Sequence, residues 1–133
     1  ALLIQPWNMI ASDGNLVRED DPDIGHPRST GTFPRVLGWY VREESLLSME
    51  EAIRKMTSFP ADFVGLTSRG RIDNGLPADI VIFNPLTITD LSTYNEPNKF
   101  SNGVIHVLID GKFVLKNEQL TTQRPGIFLK RER

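Results

Sequence analysis

The 133 residues suffice for one domain with a modest core. With 15 basic and 17 acidic residues and a net charge of -2, the chain has no electrostatic excess to draw nucleic acid or an anionic membrane. It has no cysteine, which excludes disulfides and thiolate sites and fits a reducing, cytoplasmic setting; no apolar run approaches the ~18 residues of a membrane span.

In chain order, Ala1-Leu2-Leu3-Ile4 is apolar but too short for a signal h-region, and no basic residues precede it. An apolar opening without leader or cap reads as the middle of a longer chain. Residues 1–12 read as a short buried strand, interrupted at Pro6 and leading into Ser12-Asp13-Gly14, where glycine permits a sharp exit. Residues 15–30 are polar and rich in breakers, the composition of a long loop.

Pro34 suits the first turn of a helix running to about Glu44, with Val36, Leu37, Tyr40 and Val41 on one stripe. Ser48-Met49-Glu50-Glu51 matches a capping box, Ser48 as N-cap and Glu51 reaching back, before a helix that turns Ala52, Ile53 and Met56 inward. Ser58-Phe59-Pro60 breaks that helix, and a shorter one over residues 61–64 ends at Gly65. Trp7 and Trp39 read as core.

From Arg69 the pattern turns to strands. Residues 78–83 are rich in β-branched side chains and end at Asn84-Pro85. Residues 104–109, Asp110-Gly111 and residues 112–115 read as a hairpin with a type I′ turn, and residues 86–103 as a polar connection. The first half is therefore α/β in character and the second all-β, pieces of two domains. The basic tail Lys130-Arg131-Glu132-Arg133 reads as solvated, because a nucleic-acid footprint needs a stripe or face.

Asp13 is the first candidate for chemistry. A carboxylate after a buried strand, on a glycine turn, stands where barrel enzymes place catalytic groups. There it serves as general base toward a metal-bound water or ligates the metal itself. Alone, Ser-Asp-Gly is an ordinary turn. Arg28 is the second candidate, because a loop guanidinium can orient an amino-acid substrate by its carboxylate. The plainer reading pairs Arg28 with the acidic run Glu19–Asp23. His26 and His106 are far apart and lack metal-ligand spacing, so they make no zinc site by themselves. Arg35, Arg42 and Arg54 read as solvated or locally paired, and Asp79 as a structural acceptor for turn backbone.

The order of the pieces says more than any one of them. Ser12-Asp13-Gly14, then His26-Pro27-Arg28, Gly31-Thr32-Phe33-Pro34-Arg35-Val36-Leu37-Gly38 and residues 49–57 together resemble the N-acyl-D-amino-acid deacylases (D-aminoacylases) of the amidohydrolase superfamily. Pro60-Ala61, Gly65-Leu66, Arg69-Gly70-Arg71-Ile72, residues 75–83, Asp110-Gly111 and Arg124-Pro125-Gly126 extend the likeness over nearly the whole chain. The Ala78-Asp79 strand element is shared by amidohydrolases generally, whereas His-Pro-Arg followed by Gly-Thr-Phe-Pro-Arg is the more specific part.

The resemblance implies a TIM-like (β/α)₈ amidohydrolase barrel beside a small β-sandwich. Residues 1–68 would be the barrel's last strand, catalytic loop and closing helices, and residues 69–133 C-terminal strands of the sandwich. It implies a zinc-dependent hydrolase cleaving N-acyl-D-amino acids to a carboxylate and a D-amino acid. Zinc in such enzymes lowers the pKa of its water from ~15.7 toward ~7. The residue matching Asp13 carries the proton, and the one matching Arg28 binds the substrate's α-carboxylate. The family's zinc ligands, histidines and a cysteine of earlier barrel strands, have no counterpart here. The chain alone is therefore expected to be inactive and to bind no zinc, beyond what Asp13 could ligate. Asn84 stands where the family commonly has Asp, and the stretch Arg18–Ile24 follows no family pattern. Two other readings remain: a cyclic-amide hydrolase of the hydantoinase or dihydroorotase kind, which the residue 75–83 element permits, and a non-catalytic structural module. Exposed apolar edges would favour self-association of the isolated chain.

Overall fold

The first helix of the protein starts well before Pro34. The structure, a computed structural model, describes residues 2–16, 18 and 25–131. Helix α1 spans Arg28–Arg35 and runs directly into a wide π-helical segment, Val36–Glu43. Pro27 already has helical dihedrals (φ -57°, ψ -16°), so it, rather than Pro34, occupies the opening turn where a missing N–H costs nothing. Pro34 lies inside α1 and removes the N–H that would bond to the carbonyl four residues back. The ladder resumes in the wider geometry, and at its end Glu44 N–H donates to Trp39 O at 2.9 Å.

Helix α2, Met49–Met56, begins as expected: Ser48 Oγ accepts from Glu51 N–H at 3.2 Å. The second half of the capping box does not form. The Glu51 carboxylate turns forward instead, to Arg54 Nε at 2.7 Å and Lys55 Nζ at 3.6 Å. The Arg54 guanidinium holds the Glu51 carboxyl below the ordinary glutamate range. Helix α3, Ser58–Val64, ends at Gly65 in the left-handed conformation and packs on α2, which also meets the π segment.

Residues 2–12 form no strand. Leu2–Ile4 is a single 3-10 turn, and the extended residues after Trp7 find no ladder partner among the described residues. Their main hold is Lys55, which is fully buried. Its Nζ donates to the carbonyls of Gln5 and, at 2.9 Å, Asn8, while Ile10 N–H donates to Lys55 O at 3.1 Å. A buried ammonium is tolerable only when its donors are met, as they are here.

The second half is a four-stranded antiparallel meander in the order β1 (Ile80–Phe83), β2 (Val104–Ile109), β3 (Lys112–Lys116), β4 (Gln119–Leu120). The Asp110-Gly111 turn has φ of 49° and 72°, as a type I′ hairpin requires. A second such turn, Asn117-Glu118 (φ 51° and 65°), adds β4, which the sequence pattern did not announce. Asp79 plays the structural part expected of it: its carboxylate accepts from Asp110 N–H at 2.8 Å and pairs with Arg69.

The core joins the two halves. Val36, Leu37 and Ala52 from the helices pack with Ile88, and Tyr40, Val41, Phe83 and Val104 close around them. Ile88 belongs to the connection read as merely polar, yet it is 1% exposed, a burial worth about 2 kcal/mol. Arg35 and Arg42 fasten that connection to the helix. Arg35 pairs with Asp90 at 2.8 Å, and Arg42 donates to Ile88 O at 2.7 Å. Neither is a free surface cation. Arg54 combines its local pair with a stack over the Phe59 ring. Trp7 and Trp39, expected in the core, are 62% and 51% exposed. Trp39 falls off the Val36–Leu37–Tyr40–Val41 stripe, and Trp7 sits on the outward turn before Asn8. Of the basic tail, Glu132 and Arg133 lie outside the described residues.

Candidate active site

Asp13 sits at φ 48°, a left-handed conformation that aspartate tolerates better than most residues. Two serines hold its turn. Ser12 Oγ accepts from Gly14 N–H and Ser29 Oγ from Asn15 N–H, each at 3.2 Å. Ser29 belongs to α1, so the turn is tied to the start of that helix. The approach is close: a Cβ on Gly14 would lie 2.6 Å from Ser29 Cα. Glycine alone lets the two backbones meet this way.

The result places Asp13 Oδ2 3.0 Å from Arg28 Nη2. Asp13 is not at the end of a strand, and its side chain is 87% exposed. Arg28 is in the first turn of α1, where the helix dipole disfavours a cation and favours an anion beside it. A guanidinium in that position presents its fork to carboxylates. The acidic run Glu19–Asp23, the other partner expected for Arg28, lies outside the described residues.

His26 caps this helix. Its Nδ1 accepts from Arg28 N–H at 3.0 Å. A backbone N–H can only donate, so in the neutral ring the proton is on Nε2, which donates to Tyr94 Oη at 3.2 Å. The two rings meet edge to face, with centroids 5.1 Å apart. Further contacts come from the same segment: Ser92 Oγ–H donates to Pro27 O at 3.0 Å, and Thr30 Oγ1–H donates to Pro97 O at 3.1 Å. Tyr94, Ser92 and Pro97 had no signal in the sequence, because nothing local tells a connecting loop which distant helix it will cross. His106 is elsewhere, accepting from Asn117 N–H at 3.0 Å and packing against Phe113. It serves a hairpin turn.

Among the described residues, no group of three or more His, Cys, Asp or Glu side chains stands together as a metal site. A groove of about 650 Å³ between Thr30, Phe100, Leu115 and Leu120 is lined by neither Asp13 nor Arg28. It brings no cluster of catalytic groups, so the Asp13–Arg28 pair remains the better candidate. No helix among the described residues is long and apolar enough to cross a membrane.

Residues 1–115 match the model of the amidohydrolase family. The chain belongs to that family. Among amidohydrolase relatives, an N-acyl-D-glutamate deacylase from Alcaligenes xylosoxydans xylosoxydans is 44% identical over 93% of this chain and 24% of its own length. An N-acyl-D-aspartate deacylase from the same organism is 42% identical over 91% of this chain and 24% of its own. The crystal structure of a D-aminoacylase superposes with a TM-score of 0.82 at 38% identity, covering 92% of this chain and 25% of that one. The N-acyl-D-glutamate deacylase of Bordetella bronchiseptica is known in complex with zinc and a phosphonate that mimics the tetrahedral intermediate. It gives 0.76 at 41% identity, over 84% of this chain and 23% of that one. The chain spans about a quarter of the length of these amidohydrolases.

Proposed function

We propose that this chain supplies the proton-carrying and carboxylate-binding end of a zinc-dependent hydrolase that cleaves N-acyl-D-amino acids. The observation that carries the reading is the Asp13–Arg28 pair, with Oδ2 and Nη2 3.0 Å apart on an exposed turn. Asp13 takes a proton from the attacking water and delivers it to the departing nitrogen as the amide C–N bond breaks and a C–O bond forms. The products are a carboxylate and a free D-amino acid. Arg28 holds the substrate's α-carboxylate, so that the scissile amide lies within reach of Asp13. Among the described residues no cluster of metal ligands forms, and zinc would be held by ligands from other parts of the full-length protein, where it would activate the attacking water.

Residues 1–68 would then close the catalytic barrel, and residues 69–133 belong to the accompanying β-sandwich. The shared core around Ile88 and the contacts of residues 90–97 with α1 would keep the two parts in register. A cyclic-amide hydrolase is the weaker reading, because Arg28 suits a substrate with a free carboxylate. Assaying the full-length protein on N-acetyl-D-amino acids, their L-enantiomers and hydantoins separates the two. Turnover of the D-acyl series supports the proposal; turnover of hydantoins alone overturns it.

A further inference from the structure

The segment between β1 and β2 reaches back across the start of α1 and touches it where Arg28 is set. Three contacts carry this. Tyr94 Oη accepts a hydrogen bond from the Nε2–H of His26, whose Nδ1 accepts from the backbone N–H of Arg28. Ser92, only 3% exposed, donates to the carbonyl of Pro27, the residue before Arg28. Asp90, with a side chain 10% exposed, binds Arg35 one helix length further on. From these contacts we infer that the Asp90–Pro97 segment is a strap that positions the substrate-carboxylate arginine, with His26 and Tyr94 as positioning residues.

The chemistry of the chain of contacts makes this more than packing. The His26 imidazole does the work of an N-cap side chain, accepting an otherwise orphaned helix N–H. That N–H is Arg28's own, so the cap sets the direction in which the guanidinium leaves the helix. With Nδ1 accepting and Nε2 donating, the ring has one orientation that satisfies both partners, and Tyr94 fixes it. Neither residue need touch the reacting atoms. Their effect would pass through Arg28 and appear in substrate binding rather than in proton transfer.

The inference rests on Arg28 binding the substrate carboxylate, so the experiment includes Arg28→Ala. In the full-length protein with zinc bound, steady-state kinetics on an N-acetyl-D-amino acid are compared for His26→Ala, His26→Asn, Tyr94→Phe, Arg28→Ala and His26→Ala/Arg28→Ala. His26→Ala should raise KM about tenfold with kcat within about twofold, the pattern of lost uniform binding. His26→Asn should recover most of that loss, because an asparagine oxygen also accepts from the N–H two residues on. Tyr94→Phe, which keeps the ring and loses only the hydroxyl, should raise KM about threefold. In the Arg28→Ala background, His26→Ala should add nothing further. Unchanged KM in both His26→Ala and Tyr94→Phe, or an undiminished His26→Ala effect without Arg28, overturns the strap while leaving the substrate reading intact. An unchanged KM in Arg28→Ala overturns the substrate role of Arg28, and the strap's function with it.

Discussion

The chain uses the dipeptide Asp-Gly twice, each time with a left-handed aspartate, and with opposite results. Asp13 and Asp110 stand at φ 48° and 49°, each followed by glycine. Asp110-Gly111 is flanked by residues that pair as β2 and β3, so the turn closes a hairpin and its role is architectural. Asp13-Gly14 has no strands beside it. Its turn is pinned by Ser12 and by Ser29 from α1, and its carboxylate is left exposed beside Arg28. The dipeptide is the same in both places, but the glycine continues the left-handed turn only at Gly111, with φ 72°. What flanks the dipeptide decides whether the aspartate closes a hairpin or leaves its carboxylate exposed beside an arginine.

Alanine at each glycine should separate these roles. Gly14→Ala drives a Cβ into the Ser29 backbone, displacing Asp13 from Arg28, and turnover of the full-length enzyme should fall on the order of a hundredfold. Lys55→Met keeps the buried stem but strips the donors from the Gln5 and Asn8 carbonyls, and should cost about 2 kcal/mol in urea unfolding. Gly111→Ala meets open space, its nearest neighbour being Ala78 Cβ at 4.0 Å, so only the left-handed φ is penalised. That change should cost about 1 kcal/mol and leave turnover unaltered. Equal kinetic effects of Gly14→Ala and Gly111→Ala would erase the contrast.

The smallest effect expected is on acid stability. Arg54 beside Glu51 and Arg71 beside Asp62 hold both carboxyls below their ordinary values of 4.5 and 3.8. A carboxyl lowered on folding stabilises the native state above its ordinary value and loses that contribution as pH falls through the folded one. Asp62 is exposed and Glu51 about one-third so, and solvent screens both pairs; the melting temperature should drop only slightly faster below about pH 4.5 than in Glu51→Gln or Asp62→Asn. Identical profiles would show that these pairs add nothing.

The parts legible in the sequence were those whose signal is local. Ser48 as a helix cap, the Asp110-Gly111 turn, and the Val36–Val41 stripe depend on residues within one or two turns of each other. The parts that were not legible depend on partners far along the chain. Residues 1–12 look like a strand by composition, but a strand exists only with a ladder, and Lys55 holds Gln5, Asn8 and Ile10 in another way. Pro34 looks like a helix start because the breaker-rich composition around Pro27 reads as a loop, while in the folded chain its neighbour His26 supplies the cap. Ile88 was hidden in a polar connection, and its burial depends on a helix that ends far earlier in the chain. At the site, Asp13 and Arg28 were found through the ordered family pattern, whereas Ser29, Ser92 and Tyr94 became visible only in the folded chain.

In the proposed reaction Asp13 carries the proton from water to the leaving nitrogen. The direct test of this role is Asp13→Asn in the full-length enzyme, with turnover of an N-acetyl-D-amino acid and bound zinc measured on the same preparation. Turnover should fall by about a thousandfold or more while most of the zinc is retained, because the amide cannot accept the proton. Near-normal turnover with full zinc would rule out Asp13 as the proton carrier.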